Sequence, residues 1–338
     1  MEYRVLGKTG LRVSRIGFGG IPVQRVGKDE GVETVRAAIN AGMNYIDTAR
    51  LYSVSEGYIG EAVEGEGLRT RVILATKHPA TDYDGMKKAI ETSLKELKTD
   101  HIEIYQVHNV KTDQDADKIF SFDGAYRAIK EAITEGKVGF MGITSHLIGV
   151  LDYCLNNFAD KIATIMYPFN IVENQGEEMF RRAKALNVGT IAMKPLGGGN
   201  LEDTRLALRY IAEKDFIDLI IPGIGNAAEA LANCAELTRL CEAEHGECER
   251  IRKELGNNFC RKCGYCLPCS KGIDIPTAFT FYNYLAKYNL KEWAVERYNS
   301  LKVKASECMG CALCEARCPY GLEIQKKLKQ VALAFKSI

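Results

Sequence analysis

Eight short apolar runs punctuate residues 15–224, and helix-length stretches separate them. They read RIGFGG (15–20), YIDTA (45–49), VILATK (72–77), IEIYQVH (102–108), FMGITS (140–145), TIMYPF (164–169), GTIAMKP (189–195) and LIIPGI (219–224). The stretches between carry apolar residues at three- and four-residue spacing. Residues 85–98 are one example and 177–187 another, with Met179, Phe180, Ala183 and Leu186 on one face. Eight strands alternating with helices over about 210 residues is the arithmetic of a (β/α)₈ barrel in the α/β class. An open doubly wound sheet is the alternative, but it normally begins with a glycine-rich dinucleotide loop. Gly17-Phe18-Gly19-Gly20 does not open a helix in that pattern.

In such a barrel the chemistry gathers at the C-terminal ends of the strands. Those ends carry Asp47 and Tyr52 after the second strand, Lys77 at the third and His108 at the fourth. Any one of them could be structural: a cap, a packed ring, a solvated cation, a satisfied core histidine. Together, four groups of complementary chemistry on three successive strand ends point to proton delivery to a carbonyl that is being reduced. A tyrosine, with an ordinary pKa of ~10, is a poor acid at neutral pH unless a nearby cation lowers that value. Lys77 is expected to be the cation, held and oriented by Asp47. His108 is expected to hydrogen-bond the substrate oxygen and share the proton.

Charge excludes other classes. The 45 Lys plus Arg balance 44 Asp plus Glu, a net charge of +1, so no field draws the chain to nucleic acid or to an anionic membrane. No apolar run approaches the ~20 residues of a membrane helix; residues 216–224 come closest and are broken by Asp218 and Pro222. The opening MEYRVLGKTG has no apolar signal core, and a cytoplasmic location is expected. Twelve cysteines are too few in 338 residues for a disulfide scaffold, and a cytoplasmic chain keeps its thiols reduced. Cys154, Cys234, Cys241 and Cys248 are scattered, whereas the other eight fall in two tight groups after residue 259.

The first group reads Cys260-Arg-Lys-Cys263-Gly-Tyr-Cys266-Leu-Pro-Cys269 and the second Cys308-Met-Gly-Cys311-Ala-Leu-Cys314-Glu-Ala-Arg-Cys318-Pro319. Similar exits follow, Gly272-Ile-Asp-Ile-Pro276 and Gly321-Leu-Glu-Ile324, so one metal-binding unit is repeated. The second group fits the bacterial ferredoxin spacing C-x₂-C-x₂-C-x₃-C-P; the first is a near relative with a shorter last step and no proline. In two-cluster ferredoxins the fourth cysteine of each motif serves the other cluster. Cys260, Cys263, Cys266 and Cys318 are therefore expected to hold one [4Fe-4S] cluster, and Cys308, Cys311, Cys314 and Cys269 the second. Structural zinc also uses paired cysteines, but it needs neither the triple runs nor Pro319. Between the groups, FTFYNYLAKY and EWAVERYNSL read as two aromatic-rich helices that supply core, and residues 325–336 read as a closing amphipathic helix with a basic face. The organisation expected is a barrel over 1–241, a charged linker helix over 242–256, and an α-helical ferredoxin-like domain over 257–338.

The first part resembles the aldo-keto reductases. RVLGKTGLRVSRIGFGG is similar to their N-terminal hairpin and first strand, IDTARLY to their Asp-and-Tyr stretch, VILATK to their lysine strand and IYQVH to their histidine strand. GKVGFMGITSH resembles the strand that contacts nicotinamide, and IIPGIG with Asn233 the phosphate-binding turn after strand eight. The resemblance implies a TIM barrel that reduces, or reversibly oxidises, a small-molecule carbonyl substrate with NADPH or NADH. It places Gly19, Thr144, Ser145, Met166, Met193, Lys194, Leu196, Gly198, Gly223, Gly225, Asn226 and Asn233 along the cofactor. Thr144-Ser145 stands where a Ser-Asn pair is usual, Met166 where a glutamine is, Met193 where an aromatic residue stacks on nicotinamide, and Gly223 where one branch has a lysine. Glu229 falls where an arginine often binds the 2′-phosphate, and an acid there repels it. These departures leave room for FMN, which accepts two electrons and releases them singly to clusters; Met193 would pack on its ring and Lys194 would stabilise its reduced form. The reading is an oxidoreductase whose electrons are coupled to two clusters, with a redox partner protein such as a ferredoxin. The alternative is an electron-transfer or redox-sensing protein whose barrel binds a nucleotide but turns over little substrate.

Overall fold

The computed structural model describes residues 1–65, 67–255, 259–260, 266–286, 291–318 and 321–337. The chain divides into two compact units, Met1–Glu244 and His245–Ile338.

In the first unit a hairpin of β1 (Tyr3–Val5) and β2 (Arg12–Ser14) precedes eight parallel strands. These are β3 (Phe18–Gly19), β4 (Tyr45–Asp47), β5 (Ile73–His78), β6 (Ile102–Val107), β7 (Val138–Thr144), β8 (Thr164–Pro168), β9 (Gly189–Met193) and β10 (Leu219–Ile221), each paired to its neighbour in chain order. Every expected strand is present. The ring closes between β10 and β3, where Gly17 N–H donates to the Ile220 carbonyl at 2.9 Å and Gly19 N–H to that of Pro222 at 2.9 Å. A Cβ on Gly19 would lie 2.5 Å from the Pro222 oxygen, so this seam itself demands glycine.

Helices α1 (Lys28–Asn40), α2 (Ser55–Val63), α3 (Tyr83–Glu96), α4 (Asp113–Phe120), α5 (Ala125–Thr134), α6 (Ile148–Phe158), α7 (Glu177–Ala185), α8 (Thr204–Ala212) and α9 (Ala227–Asn233) alternate with the strands. Their apolar stripes are buried, as Met86, Ala89, Ile90 and Leu94 of α3 show. Met179, Phe180 and Ala183 of α7 are buried as expected. Leu186 is not: it is the C-cap residue, where the helical period has ended, and it is 43% exposed.

Alternation along the strands organises the interior. Tyr45, Ile73, Ala75, Ile104, Met166, Ile191, Leu219 and Ile221 form one apolar cluster with Leu6 and Val13 of the hairpin region. The hairpin loop lies at the strands' N-terminal ends, where Lys8 N–H donates to the Asn187 carbonyl at 2.6 Å just before β9. One pleat further along, towards the C-terminal ends, the same inward series reaches Asp47 on β4 and Lys77 on β5, and on β6 it passes Gln106 to His108.

Arg15 is fully buried. Its guanidinium donates to the Ile217 carbonyl and to those of Ile211, Ala212 and Lys214 at 3.2, 2.9 and 3.1 Å, capping the C-terminal end of α8. Burial pulls its pKa down to about 9. Replacing it with methionine orphans carbonyls at about 1–3 kcal/mol each. Urea denaturation of Arg15→Met should therefore show a loss of about 3 kcal/mol or more in unfolding free energy.

Helix α10 (Glu242–Leu255) falls within the expected linker, whose last residue, Gly256, lies outside the described ones, and it crosses the boundary between the units. Glu242–Glu244 fall in the barrel unit, where Arg209, 9% exposed, grips both carboxylate oxygens of Glu244 at 2.5 and 2.9 Å. Arg209 also donates to the carbonyls of Thr238 and Arg239 at 2.9 and 2.7 Å.

The second unit is helical, with α11 (Ile275–Ala286), α12 (Lys291–Asn299), α13 (Leu313–Ala316) and α14 (Ile324–Lys336). Ile273, Ile275, Phe279, Tyr298, Leu328 and Val331 form its core together with Cys266 and Cys314. Tyr298 stacks on Phe335 at 3.9 Å and 5°. The aromatic insert therefore contributes core, as its composition suggested. Among the described residues no helix is long and apolar enough to cross a membrane.

Candidate active site and cluster-binding region

Lys77, 2% exposed, donates to Asp47 Oδ2 at 2.5 Å and to the Thr48 carbonyl at 2.7 Å. Burial disfavours its charge, but the Asp47 carboxylate and the Tyr52 hydroxyl outweigh that, so its pKa is raised and it stays an ammonium. Desolvation pushes Asp47 upward against the pull of Lys77 and Gln106. Lys77 Nζ lies 5.1 Å from the Tyr52 ring centroid. The His108 ring stands edge-on to that of Tyr52, at 6.0 Å and 87°. Burial, then the charges of Lys77 and His78, drag the His108 pKa down to about 3, leaving a neutral imidazole at physiological pH. Its Nδ1 is buried with no hydrogen-bond partner among the described residues. All four expected residues are thus brought together.

The segment that presents Tyr52 is pinned on both sides. Arg50 N–H donates to the Lys77 carbonyl at 3.1 Å, and Tyr52 N–H to that of Ala49 at 2.9 Å. The Arg50 side chain pairs with Glu56, a carboxylate on α2 whose other oxygen accepts from Thr76 at 2.6 Å and Ser93 at 2.8 Å. Two contributors were not anticipated. Gln106, fully buried, donates to Asp47 Oδ1 at 3.2 Å, and Glu56 is 1% exposed. A lone glutamine inside the apolar run IEIYQVH, two residues before His108, was the available signal.

The cofactor candidates are more heterogeneous. Thr144 Oγ1 accepts from Asn109 N–H at 2.8 Å, which leaves its own proton to offer. Ser145 spends its one proton locally, donating to the Val110 carbonyl at 2.7 Å, and accepts from Leu147 N–H at 3.0 Å. Met166 is 1% exposed within the barrel cluster, and Met193 packs against that cluster. Lys194 has a left-handed backbone (φ +55°), and its carbonyl accepts from Asn170 at 3.0 Å. After Leu196, Gly197, Gly198 and Gly199 all have positive φ, +56°, +66° and +86°, a conformation that only glycine adopts cheaply. A Cβ on Gly223 would lie 3.0 Å from Pro22. Asn226 caps α9, accepting from Glu229 N–H at 2.9 Å, while Glu229 accepts from Gly225 N–H at 2.8 Å. The start of α9 thus already holds a carboxylate. Asn233, at the other end of α9, is 4% exposed.

In the second unit Cys269, Cys308, Cys311 and Cys314 line one hollow of about 340 Å³, counting its open mouth. This is the ligand set expected for the second cluster, crossing from one cysteine group to the other. Among the described residues no three Cys, His, Asp or Glu side chains converge on one ion-sized point. Cys266 belongs to the core of the same unit and Cys260 and Cys318 pack against it, while Cys263 and Pro319 lie outside the described residues. Arg317 joins the groups, donating to the carbonyls of Cys266, Leu267 and Pro268 at 3.1, 3.3 and 2.9 Å and to that of Leu313 at 3.0 Å. Glu315 accepts from Gln325 N–H at 2.8 Å and from its side chain at 2.9 Å, tying α13 to α14.

Residues 15–206 match the aldo/keto reductase family, and residues 259–323 match the 4Fe-4S dicluster domain. The chain belongs to the aldo/keto reductase family of oxidoreductases and carries an iron–sulfur dicluster domain at its C-terminal end. It is 31% identical over 247 residues to the 6-dehydroglucose reductase of Novosphingobium aromaticivorans, covering 66% of this chain and 78% of that protein. It is 26% identical over 290 residues to the L-galactose dehydrogenase of Arabidopsis thaliana, covering 71% and 89%. The holo form of the aldo-keto reductase AKR11C1 from Bacillus halodurans superposes with a TM-score of 0.65 at 25% identity, covering 74% of this chain and 96% of that one.

Proposed function

We propose that the barrel reduces a small carbonyl compound, or oxidises the corresponding alcohol in reverse, and that its electrons are coupled to two [4Fe-4S] clusters. The observation that carries the reading is the buried Asp47–Lys77 pair beneath Tyr52, with neutral His108 alongside. Tyr52 gives its proton to the carbonyl oxygen. The Lys77 ammonium stabilises the tyrosinate left behind, in a site where water does not screen it. Asp47 holds that ammonium in place, and His108 positions the oxygen without competing as an acid. A bound nicotinamide would supply the hydride. Relatives named as a reductase and as a dehydrogenase support either direction. The segment from Asn109 to Phe122 is where we would place substrate selectivity; the sequence reads as a loop there, but its middle is α4, Asp113–Phe120.

Nicotinamides pass two electrons together whereas clusters pass one, so coupling between them calls for a converter such as FMN. The Glu229 carboxylate at the start of α9 repels a 2′-phosphate, which supports NADH or FMN over NADPH. Visible spectra of anaerobically purified protein, before and after NADH, NADPH or dithionite, test the whole scheme. Cluster absorbance that bleaches with dithionite and with one nucleotide supports coupling. Carbonyl reduction running while neither nucleotide bleaches the clusters overturns it, and an extract without flavin removes FMN.

Glu229 gives a direct test of nucleotide choice. Glu229→Arg exchanges a repelling acid for a cation, and we expect the ratio of NADPH to NADH affinity to rise by about tenfold or more. Fluorescence titration with each nucleotide measures it.

A further inference from the structure

The two cysteine groups differ at the residue after the fourth cysteine. The second group has Pro319 there, with neither an N–H nor a hydroxyl, and the first has Ser270. Ser270 Oγ lies 3.6 Å from Cys311 Sγ, and both line the hollow with Cys269, Cys308 and Cys314. A thiolate bound to iron has no proton, so in the loaded domain the serine hydroxyl must be the donor of this pair. Lys271 and Arg317 border the same hollow and add positive potential.

Reduction adds one electron to a cluster that is already anionic, breaks no bond and requires no proton. Hydrogen bonds to the cysteine sulfur and nearby cations stabilise that added charge, and so raise the reduction potential. We propose that Ser270 sets the potential of the cluster held by Cys269, Cys308, Cys311 and Cys314 above that of the cluster assigned to Cys260, Cys263, Cys266 and Cys318. The inference rests on the two-cluster reading and deepens it. Electrons within the domain then run downhill towards the cluster whose thiolate Cys311 and flanking Met309 and Leu313 are exposed. The solvent-facing cluster becomes the last station before an acceptor, or the one that fills first.

Ser270 is exposed, so its replacement disturbs no core. The test uses full-length protein with reconstituted clusters, iron and sulfide analysis, and a dithionite titration followed by electron paramagnetic resonance. About eight irons per chain and two resolved potentials are expected in the parent. Ser270→Ala should lower only the higher potential, by up to about a tenfold change in the one-electron equilibrium constant, or about 59 mV. Ser270→Thr, which keeps the hydroxyl, should restore it. With full iron content, an unmoved pair of potentials or an equal shift of both overturns the role of Ser270. A parent that cannot be loaded beyond about four irons instead defeats the two-cluster reading itself, and the inference with it.

Discussion

Tyr52→Phe lowers the rate of carbonyl reduction by about 10²–10⁴-fold, the contribution of a positioned general acid, while nucleotide binding stays intact. The ring is retained, so its edge contact with His108 at 6.0 Å and its packing over Lys77 survive; only the transferable proton is lost. Neutral His108 cannot substitute efficiently. With its pKa dragged to about 3 by burial and neighbouring charge, almost none of it carries an extra proton at neutral pH. The measurements are kcat with a reactive aldehyde or quinone and a parallel fluorescence titration of nucleotide. Parent-like turnover would remove Tyr52 from the acid role and favour the electron-transfer alternative for this barrel.

Lys77→Met should be the most destabilising of the single changes considered. It strips the counterion from Asp47, and breaking a buried pair on one side costs about 3–5 kcal/mol. The pH dependence separates this from ordinary packing loss. Without Lys77 the buried Asp47 binds a proton well above its ordinary value of 3.8, because the desolvation that already raises it is no longer opposed by a cation. A group whose folded pKa is raised stabilises below its unfolded pKa and loses that contribution as pH rises through the folded one. The deficit of Lys77→Met should therefore be small near pH 4 and grow towards pH 8 in urea denaturation. Adding Asp47→Asn removes the buried charge and should recover much of the stability, but not the activity. A deficit that is flat with pH, or a double variant no more stable than the single one, would show that the pair is not the buried ion pair described.

The strands and the four clustered side chains were legible because both follow from short-range pattern. Parallel strands buried on both faces read as unbroken apolar runs, and a polar residue at their C-terminal ends stands out, as Asp47, Lys77 and His108 do. Gln106 and Glu56 were less visible. Each is buried by partners distant in sequence, Gln106 by Asp47 and Glu56 by Thr76 and Ser93, and no local pattern records such a meeting. The glycines divide similarly. Gly19 is expected along the cofactor, and the Pro222 carbonyl across the seam adds a packing reason for glycine there that no local pattern records. The set Cys269, Cys308, Cys311 and Cys314, which lines one hollow, was legible only through the likeness to two-cluster ferredoxins, whose fourth cysteine serves the other cluster. Ser270 was not, since its partner Cys311 lies 41 residues away.

Arg317 carries a consequence for how the domain comes into being. One guanidinium holds three carbonyls of the first cysteine group and one of the second, and it sits between two cysteines assigned to different clusters, Cys314 and Cys318. Neither half can reach its final shape while the other is unfolded. Maturation should therefore be all-or-none: a chain short of iron gives a mixture of empty and full domains rather than a population of half-filled ones.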